Sequence, residues 1–241
     1  MHPRLHIPGP LSADTRIELA PAAAAHARAL RLTAGRPVTL FDGSGGEYAG
    51  EVTAVERRRV TVHVGPHHPV EREAALAVHL FQAVGKGDRM DTAVEKATEL
   101  GVTHIVPVLS ERTVVRLNDA ERAERRRRHW QAVAVSACEQ CGRNTVPEVA
   151  VPLPLDRVWP ALAPCATRLI LAPGGEQRLG AVRPVSPTAL LVGPEGGWSE
   201  TEIAAAQAHG CTPVAAGPRI LRTETAAVVA LALLGGAAGE I

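Results

Sequence analysis

The chain has 241 residues and is 46% apolar, which allows either one large globular domain or two modest ones. Its 26 basic and 25 acidic residues nearly balance, which excludes a uniformly basic nucleic-acid binder but leaves room for a local basic face. Aromatic residues make up 2% of the chain, which argues against the binding of single strands by rows of stacked rings.

The first ten residues lack the charged-then-apolar pattern of a secretory signal. The longest apolar run, from Ala226 to Leu234, is far shorter than the roughly 20 residues that span a bilayer. We therefore expect a cytoplasmic protein whose four cysteines are free thiols.

The first seventy residues are typical of a small β-barrel with one helix. The helix is predicted at Pro21 to Leu32, with proline in its first turn. Strands are predicted at Val38 to Phe41, Glu47 to Val55 and Val60 to Val64. The segment Gly65 to Pro69 breaks the pattern, and we place a domain boundary there, between residues 1–70 and 71–241.

From residue 71 onward strands and helices alternate, which predicts an α/β domain with a parallel sheet. The predicted strands are Leu76 to Ala83, His104 to Leu109, Arg168 to Leu171, Ala189 to Val192 and Thr212 to Ala215. The predicted helices are Arg89 to Leu100, Asn118 to Cys141, Ser199 to His209 and Thr223 to Leu234.

The long helix carries a C-x-x-C motif, Cys138 and Cys141, that raises the question of a metal site. No second pair exists, because Cys165 and Cys211 stand alone, so the four ligands of a structural zinc site are missing and we expect no metal. The helical spacing instead predicts a buried stripe, made of Trp130, Ala134, Ala137, Cys138 and Cys141.

Two loops that each follow a buried strand stand out as binding elements. The first, Gly193 to Trp198 and hereafter the glycine loop, reads Gly-Pro-Glu-Gly-Gly-Trp. Its glycines let the backbone approach a ligand closely, and Ser199 and Glu202 form a capping-box pattern that starts the next helix. An ordinary turn does not need the carboxylate of Glu195.

The second loop, residues 216–225 and hereafter the Gly217 loop, places Ile220 and Leu221 where polar residues are usual. These apolar side chains suit the wall of a cleft for a flat ring, and Thr223 is positioned to cap the last helix. Neither loop has the G-x-G-x-x-G spacing of a dinucleotide site or the pattern of a phosphate-binding P-loop.

In these loops and in several other segments, the chain resembles the 16S rRNA (uracil-N3) methyltransferases, a family within the knotted SPOUT class. The segments that carry the resemblance are Leu40 to Gly43, Lys86 to Asp91, Glu95 to Val102, Ser110 to Arg112, Ala137 to Asn144, Leu191 to Gly197 and Gly217 to Thr225. Ala216 departs from the leucine that the family pattern leads us to expect before Gly217, a mild change in wall packing.

The resemblance implies a PUA-like N-terminal β-barrel that binds RNA, followed by an α/β SPOUT methyltransferase domain with a trefoil knot. It implies S-adenosyl-L-methionine as cofactor and a homodimer in which the partner subunit completes each site. Carried over by position, the cofactor-binding residues would be Leu171, Ala172, Pro173, Gly193, Pro194, Glu195, Gly196, Gly197, Gly217, Arg219, Ile220, Leu221, Thr223 and Thr225.

In the reaction that the resemblance implies, the target nitrogen of uracil carries a proton that must leave. Arg143 and Arg222 are our candidates for orienting the uracil and stabilising its anion. Glu195 and Glu139 are candidates for contact with the base or its proton, and a carboxylate would suit the role of base if burial raised its pKa. Water is an alternative proton acceptor.

Each candidate also has a purely structural interpretation. Glu195 would then pin its own loop, Arg222 would pair with an acid at the helix start, Arg143 would cap the preceding helix, and Glu139 would be solvated. Candidates for an RNA-backbone surface are Lys86, Arg89, Arg112 and Arg143, with the run Arg125 to Arg128 assigned more weakly.

Three functions stay open from sequence. The first is N-methylation of a base in small-subunit rRNA, acting on naked 16S rRNA or on the small ribosomal subunit. The second is ribose 2′-O-methylation by a related knotted enzyme, and the segment Glu139 to Asn144 favours the first over it. The third is an RNA-binding module without catalysis, against which the two intact loops argue.

Overall fold

The computed structural model describes residues 2–57, 59–115, 119–175 and 177–241. The chain forms two compact units. The first unit is Met1–Glu73 together with Val135–Val146, and the second is Ala74–Ala134 together with Pro147–Ile241. The segment Val135–Val146 therefore belongs to the first unit, although the sequence pattern places it in the second domain. The last turns of a long helix and the loop after it pack with the N-terminal strands.

The first unit is built on a five-stranded mixed sheet. Its elements are β1 (Arg4–His6), β2 (Thr15–Glu18), α1 (Pro21–Ala29), β3 (Pro37–Phe41), β4 (Glu47–Val55) and β5 (Val60–His68). The strand order is β1-β3-β4-β5-β2, with β1 and β3 parallel and the other pairs antiparallel. Helix α1 has proline in its first turn, as predicted, and buries Ala23, Ala24 and Ala27. The sequence analysis does not predict β1 and β2, because these strands are short and show no clear alternation of apolar and polar residues.

The sequence predicts that the strand ends before Gly65. This prediction is wrong, because β5 continues through the segment Gly65 to Pro69 as far as His68. The pairing of β4 with β5 shifts register between Tyr48 and Gly50, opposite Gly65 and Pro66. A β-bulge tolerates proline, which has no N–H to donate to the ladder. A Cβ on Gly65 would lie 3.0 Å from the carbonyl oxygen of Ala49, so the close approach of the two backbones favours glycine there.

The second unit alternates strands and helices around one parallel sheet. Its elements in chain order are β6 (Val78–Ala83), α2 (Arg89–Glu99), β7 (His104–Leu109), α3 (Ala120–Cys141, whose last residues join the first unit), β8 (Glu148–Val149), β9 (Leu153–Pro154), α4 (Trp159–Leu162), β10 (Thr167–Leu171), β11 (Gln177–Arg178), β12 (Thr188–Val192), α5 (Glu200–Ala208), β13 (Thr212–Ala215) and α6 (Thr223–Ala238). Asn118, the predicted start of the long helix, lies outside the described residues.

The strands of this sheet run in the order β11-β13-β10-β12-β6-β7-β8, with β9 beside β7, and every pair is parallel. Alternate residues of β12 enter opposite cores: Leu190 packs with α2 and α6, and Leu191 packs on the other face with α5. Burial on both faces explains why the central strands are continuous apolar runs. The α/β prediction is confirmed.

The C-x-x-C motif lies on α3 as part of the predicted stripe. Trp130, Ala134, Ala137 and Cys138 are buried, and Cys141 is half-buried. Burial raises the pKa of the Cys138 thiol to about 12. Over the four described ranges, no cluster of three or more His, Cys, Asp or Glu side chains is placed to hold a metal ion. In the same ranges, no helix combines the length and apolar character needed to cross a membrane.

Candidate active site

A cleft opens in the second unit where three neighbouring strands end. Its walls come from the segments that follow β10, β12 and β13 and from the first turn of α6. The cleft has about 630 Å³ of empty volume, open solvent included. The carboxyl ends of strands are where open α/β sheets bind ligands.

The cleft gathers most of the residues that the resemblance assigns to the cofactor. All of them line it except Gly196 and Thr225. A Cβ on Gly196 would meet the side chain of Arg112, and Thr225 lies exposed on α6. The sequence assignment omits five further lining residues: Val192, Trp198, Ala215, Ala216 and Ala226. Trp198 is the one with a sequence signal, since a tryptophan directly after Gly-Gly is unusual in a solvent-exposed turn.

The glycine loop begins against the Trp198 ring and ends in a helix cap. A Cβ on Gly193 would lie 3.2–3.3 Å from three atoms of the indole, so only glycine fits without displacing the ring. Ser199 and Glu202 form the predicted capping box at the start of α5: the Ser199 hydroxyl accepts from the Glu202 N–H, and the Glu202 carboxylate accepts from the Ser199 N–H. The cap fixes where the loop ends.

Thr223 ties the start of the glycine loop to α6. The predicted cap by its side chain is wrong, because the N-cap residue of α6 is Arg222 and no side chain caps this helix. The Thr223 hydroxyl instead donates to the carbonyl oxygen of Gly193 at 2.6 Å and accepts from Nε2 of Gln82 at 2.8 Å. Gln82, at the carboxyl end of β6, is 1% exposed. This chain of hydrogen bonds fixes the Gly193 peptide from inside the domain.

Glu195 is held by the segment that leads into α2. Its carboxylate accepts from the Lys86 N–H at 3.0 Å and from the Arg89 guanidinium. Partial desolvation opposes ionisation, but these hydrogen bonds outweigh it and hold the pKa of Glu195 below its usual value. The condition set for a base, a pKa raised by burial, is therefore not met. The geometry agrees with the interpretation that Glu195 pins its loop.

The cations predicted to bind RNA are mostly engaged with the protein itself. Arg89 pairs with Glu195, Arg112 donates to the carbonyl oxygen of Gly196 at 2.8 Å, and Arg143 pairs with Glu73. The exposed Lys86 differs, because the contact found for it is made by its backbone N–H.

Arg143 and its neighbour Asn144 lie buried in the first unit. Nη2 of Arg143 is 2.5 Å from Oε2 of Glu73, and Arg143 is 3% exposed. Arg4 donates to the Arg143 carbonyl oxygen at 3.1 Å and to Oδ1 of Asn144 at 2.5 Å, and Nδ2 of Asn144 reaches the Val70 carbonyl oxygen. This cluster fixes the loop that follows α3.

Glu139, in the same unit, is not solvated as its structural interpretation assumes. Its carboxylate accepts from the His6 N–H at 3.0 Å and lies 2.7 Å from Nδ1 of His26. Its side chain is 10% exposed. Glu139 and Arg143 thus belong to the first unit, whereas Glu195 and Arg222 belong to the second.

The outer edge of the cleft is formed by the Gly217 loop, which is open to solvent. Ile220 is 86% exposed, and Arg219 and Arg222 are also exposed. Arg222 has no partner in the salt bridges found among the described residues, so the suggested acid partner at the helix start is not seen. Of the four catalytic candidates, Arg222 is the one for which no ion pair is found in the described part of the chain, and its side chain is exposed.

This fold and this cleft are those of an RNA methyltransferase domain. The family model described as RNA methyltransferase domain matches residues 72–235, and the model described as RNA methyltransferase PUA domain matches residues 19–65.

Individual relatives identify the branch of this class. The ribosomal RNA small subunit methyltransferase E of Synechocystis sp. is 34% identical over 216 residues, which cover 85% of this chain and 67% of that protein. The protein of the same name from Buchnera aphidicola of Schizaphis graminum is 28% identical and covers 86% and 84%. The chain belongs to the ribosomal RNA small subunit methyltransferase E family.

Two solved structures match along nearly the whole chain. The Neisseria gonorrhoeae ribosomal RNA small subunit methyltransferase E, bound to S-adenosyl methionine, is 37% identical with a TM-score of 0.88. A Legionella pneumophila protein described as a methyltransferase, solved with the bound cofactor SAM, is 37% identical with a TM-score of 0.93. Each match covers 98% of both chains. The predicted fold class, a PUA-like domain followed by an α/β methyltransferase domain of the SPOUT class, is confirmed, and the trefoil knot stays a prediction.

Proposed function

We propose that this protein transfers the methyl group of S-adenosyl-L-methionine to N3 of a uridine in the 16S rRNA of the small ribosomal subunit. The observation that carries the proposal is the cleft at the carboxyl ends of β10, β12 and β13, in a chain of this family. Twelve of the fourteen residues that the sequence resemblance assigns to the cofactor line this cleft. A small-subunit rRNA substrate also favours a cytoplasmic protein.

The residues of the cleft fit this cofactor. Leu171, Val192 and Leu221 offer apolar walls for an adenine ring, and the missing side chain of Gly193 leaves room for the Trp198 indole beside them. The Trp198 indole packs against Gly193 at the wall of the cleft, and its buried Nε1–H has no hydrogen-bond partner among the described residues. When bound, S-adenosylmethionine supplies a methyl group activated by its sulfonium.

On the substrate side, we assign the main role to Arg222. Its exposed guanidinium at the start of α6 suits the orientation of a uracil and the stabilisation of the negative charge that develops when N3 loses its proton. Glu195 already accepts two hydrogen bonds and holds the glycine loop, so we propose water as the proton acceptor. Glu139 and Arg143 fix the loop after α3 and act as positioning residues.

We further propose that residues 1–70 form the RNA-binding PUA-like domain and that residues 71–241 form the methyltransferase domain. The family models, matching 19–65 and 72–235, support this division. We propose a homodimer as the working form. Light scattering at micromolar concentration tests it, and a mass near the 25.3 kDa of one chain would contradict it.

The proposed reaction is tested by calorimetric titration with S-adenosylmethionine, followed by transfer of labelled methyl to small-subunit particles. We expect binding, and label in 3-methyluridine after digestion of the RNA to nucleosides. Label on the ribose would support 2′-O-methylation instead. An absence of cofactor binding would leave an RNA-binding module without catalysis. Parallel assays on naked 16S rRNA identify which form of the RNA is the substrate.

The Glu195→Gln variant separates loop anchoring from base catalysis. The Arg89 contact is partly exposed, and such pairs contribute about 0–1 kcal/mol, so we expect less than about a fivefold loss of turnover. A general base would instead account for roughly a hundredfold or more. A carboxylate with a lowered pKa is ionised throughout neutral pH and loses its contribution only as the pH falls through that value. We therefore expect the same pH–rate profile as wild type from about pH 6 to 8. A loss of a hundredfold, or of a limb of the profile, would restore Glu195 as the base.

A further inference from the structure

The segment Ser110 to Arg112, which follows β7, contacts the glycine loop through two hydrogen bonds of Arg112. Nη1 of Arg112 donates to the carbonyl oxygens of Gly196, at 2.8 Å, and Trp198, at 3.4 Å. One residue earlier, the N–H of Glu111 donates to Oε1 of Glu202 at 2.8 Å. All three hydrogen bonds lie inside the second unit.

The acceptor of the Glu111 N–H is Glu202, the acid of the capping box. Glu202 is 8% exposed, and its other oxygen, Oε2, accepts from the Ser199 N–H at 2.8 Å. One buried carboxylate therefore joins the start of α5 to the end of β7. A buried carboxylate that accepts hydrogen bonds on both oxygens is a strong and directional link.

The segment that makes these contacts is itself braced. The Ser110 N–H donates to the Thr113 hydroxyl oxygen at 3.0 Å, and the two hydroxyl oxygens lie 2.8 Å apart. The Thr113 N–H donates to the Ser110 carbonyl oxygen at 3.0 Å. Because the turn is held by its own hydrogen bonds, it presents Arg112 and the Glu111 N–H in fixed positions.

These contacts complete the support of the glycine loop at its open end. Thr223 holds Gly193, and Lys86 with Arg89 holds Glu195, but Gly196 and Gly197 have no side chain with which to hold themselves. Gly197 has φ of +68°, in the left-handed region. Two successive glycines lose much conformational entropy when they are fixed, and the groups that fix them before a ligand arrives reduce the cost of binding.

We propose that Arg112 and Glu202 are positioning residues that hold the glycine loop in the conformation that receives the cofactor. The inference rests on the proposed function and adds residues that touch neither cofactor nor substrate. It also gives Arg112 a different role from the RNA-backbone contact that the sequence suggests. The two roles predict opposite results for cofactor binding.

The test is calorimetric titration of the Arg112→Ala and Glu202→Ala variants with S-adenosylmethionine. Hydrogen bonds that involve a charged group are stronger than those between neutral groups, so we expect the affinity to fall on the order of tenfold or more in each variant. Turnover at saturating cofactor should stay near that of wild type. Arg112→Lys, which keeps the charge but not the planar fork, should recover only part of the affinity.

Matched controls remove the same charges elsewhere in the second unit. Arg122→Ala removes an exposed arginine of α3, and Glu200→Ala removes an exposed acid from the first turn of α5. Both should bind the cofactor as wild type does. Hydrogen exchange of the cofactor-free protein should show faster exchange at residues 196–198 in Arg112→Ala, and thermal unfolding confirms that each variant is folded.

The outcomes separate this inference from the proposed function. If wild type does not bind the cofactor, the proposed function fails. If wild type binds and Arg112→Ala binds equally well, the inference alone is overturned. In the RNA-contact role, Arg112→Ala would keep its cofactor affinity, lose RNA affinity and reduce the salt dependence of RNA binding by about one counterion, and Arg112→Lys would restore RNA binding.

Discussion

Replacing Gly193 by valine should abolish useful cofactor binding while the protein stays folded. A Cβ at this position would already lie 3.2–3.3 Å from the buried indole of Trp198, and the two further methyl groups of valine have to enter the cleft or displace the ring. Overpacking costs about 1–3 kcal/mol, and the cleft also loses volume, so we expect the affinity to fall roughly a hundredfold or more.

Calorimetric titration of Gly193→Val and of Gly180→Val measures the effect against a matched change. Gly180 is an exposed glycine outside the cleft, and a Cβ there would have only an ordinary contact, 3.9 Å from Leu233. Circular dichroism and unfolding curves show whether either variant has lost its fold. A folded Gly193→Val protein with wild-type affinity would mean that the cleft is not the cofactor site.

The second large effect should appear in stability, for Arg143→Ala. The substitution removes the guanidinium from a buried pair and leaves the Glu73 carboxylate without that partner. Breaking a buried pair costs about 3–5 kcal/mol, and because the Glu73 side chain is 24% exposed we expect a loss of about 2–3 kcal/mol in the free energy of unfolding. Chemical denaturation followed by circular dichroism measures it.

The control for this prediction is Arg59→Ala, in the same unit. Arg59 pairs with Glu18 on the surface, where both side chains are more than half exposed, and we expect a change below about 1 kcal/mol. An Arg143→Ala protein as stable as wild type, with intact cofactor affinity and low turnover on RNA, would instead assign Arg143 to the substrate.

The sequence predicts those parts of the fold that depend on local pattern. The buried run Leu190 to Val192, the capping box of Ser199 and Glu202 and the strand His104 to Leu109 are all found where the pattern places them. Each depends on residues within a few positions of one another. The resemblance adds the assignment of the cleft, because the matching segments include both of its loops.

The structure corrects what depends on partners distant in the chain. The hydroxyl of Thr223 does not cap α6 but donates to the carbonyl oxygen of Gly193, 30 residues away. The guanidinium of Arg112 donates to the carbonyl oxygen of Gly196, 84 residues away. The guanidinium of Arg143 is buried and pairs with the carboxylate of Glu73, 70 residues away. The sequence shows that an arginine carries a positive charge, but it does not show which group accepts its hydrogen bonds. Whether an arginine contacts RNA or holds a loop of its own domain is therefore decided by the structure.

The discontinuous make-up of the first unit has a consequence during synthesis. Glu73 and Val70 leave the ribosome with the N-terminal strands, but Arg143 and Asn144, which they bind, are not yet made. At roughly 5–20 residues per second the missing segment follows several seconds later. In that interval the Glu73 carboxylate and the buried side of Arg4 have no partner from the loop after α3. The N-terminal unit can therefore complete its buried polar contacts only after Arg143 and Asn144 have been synthesised.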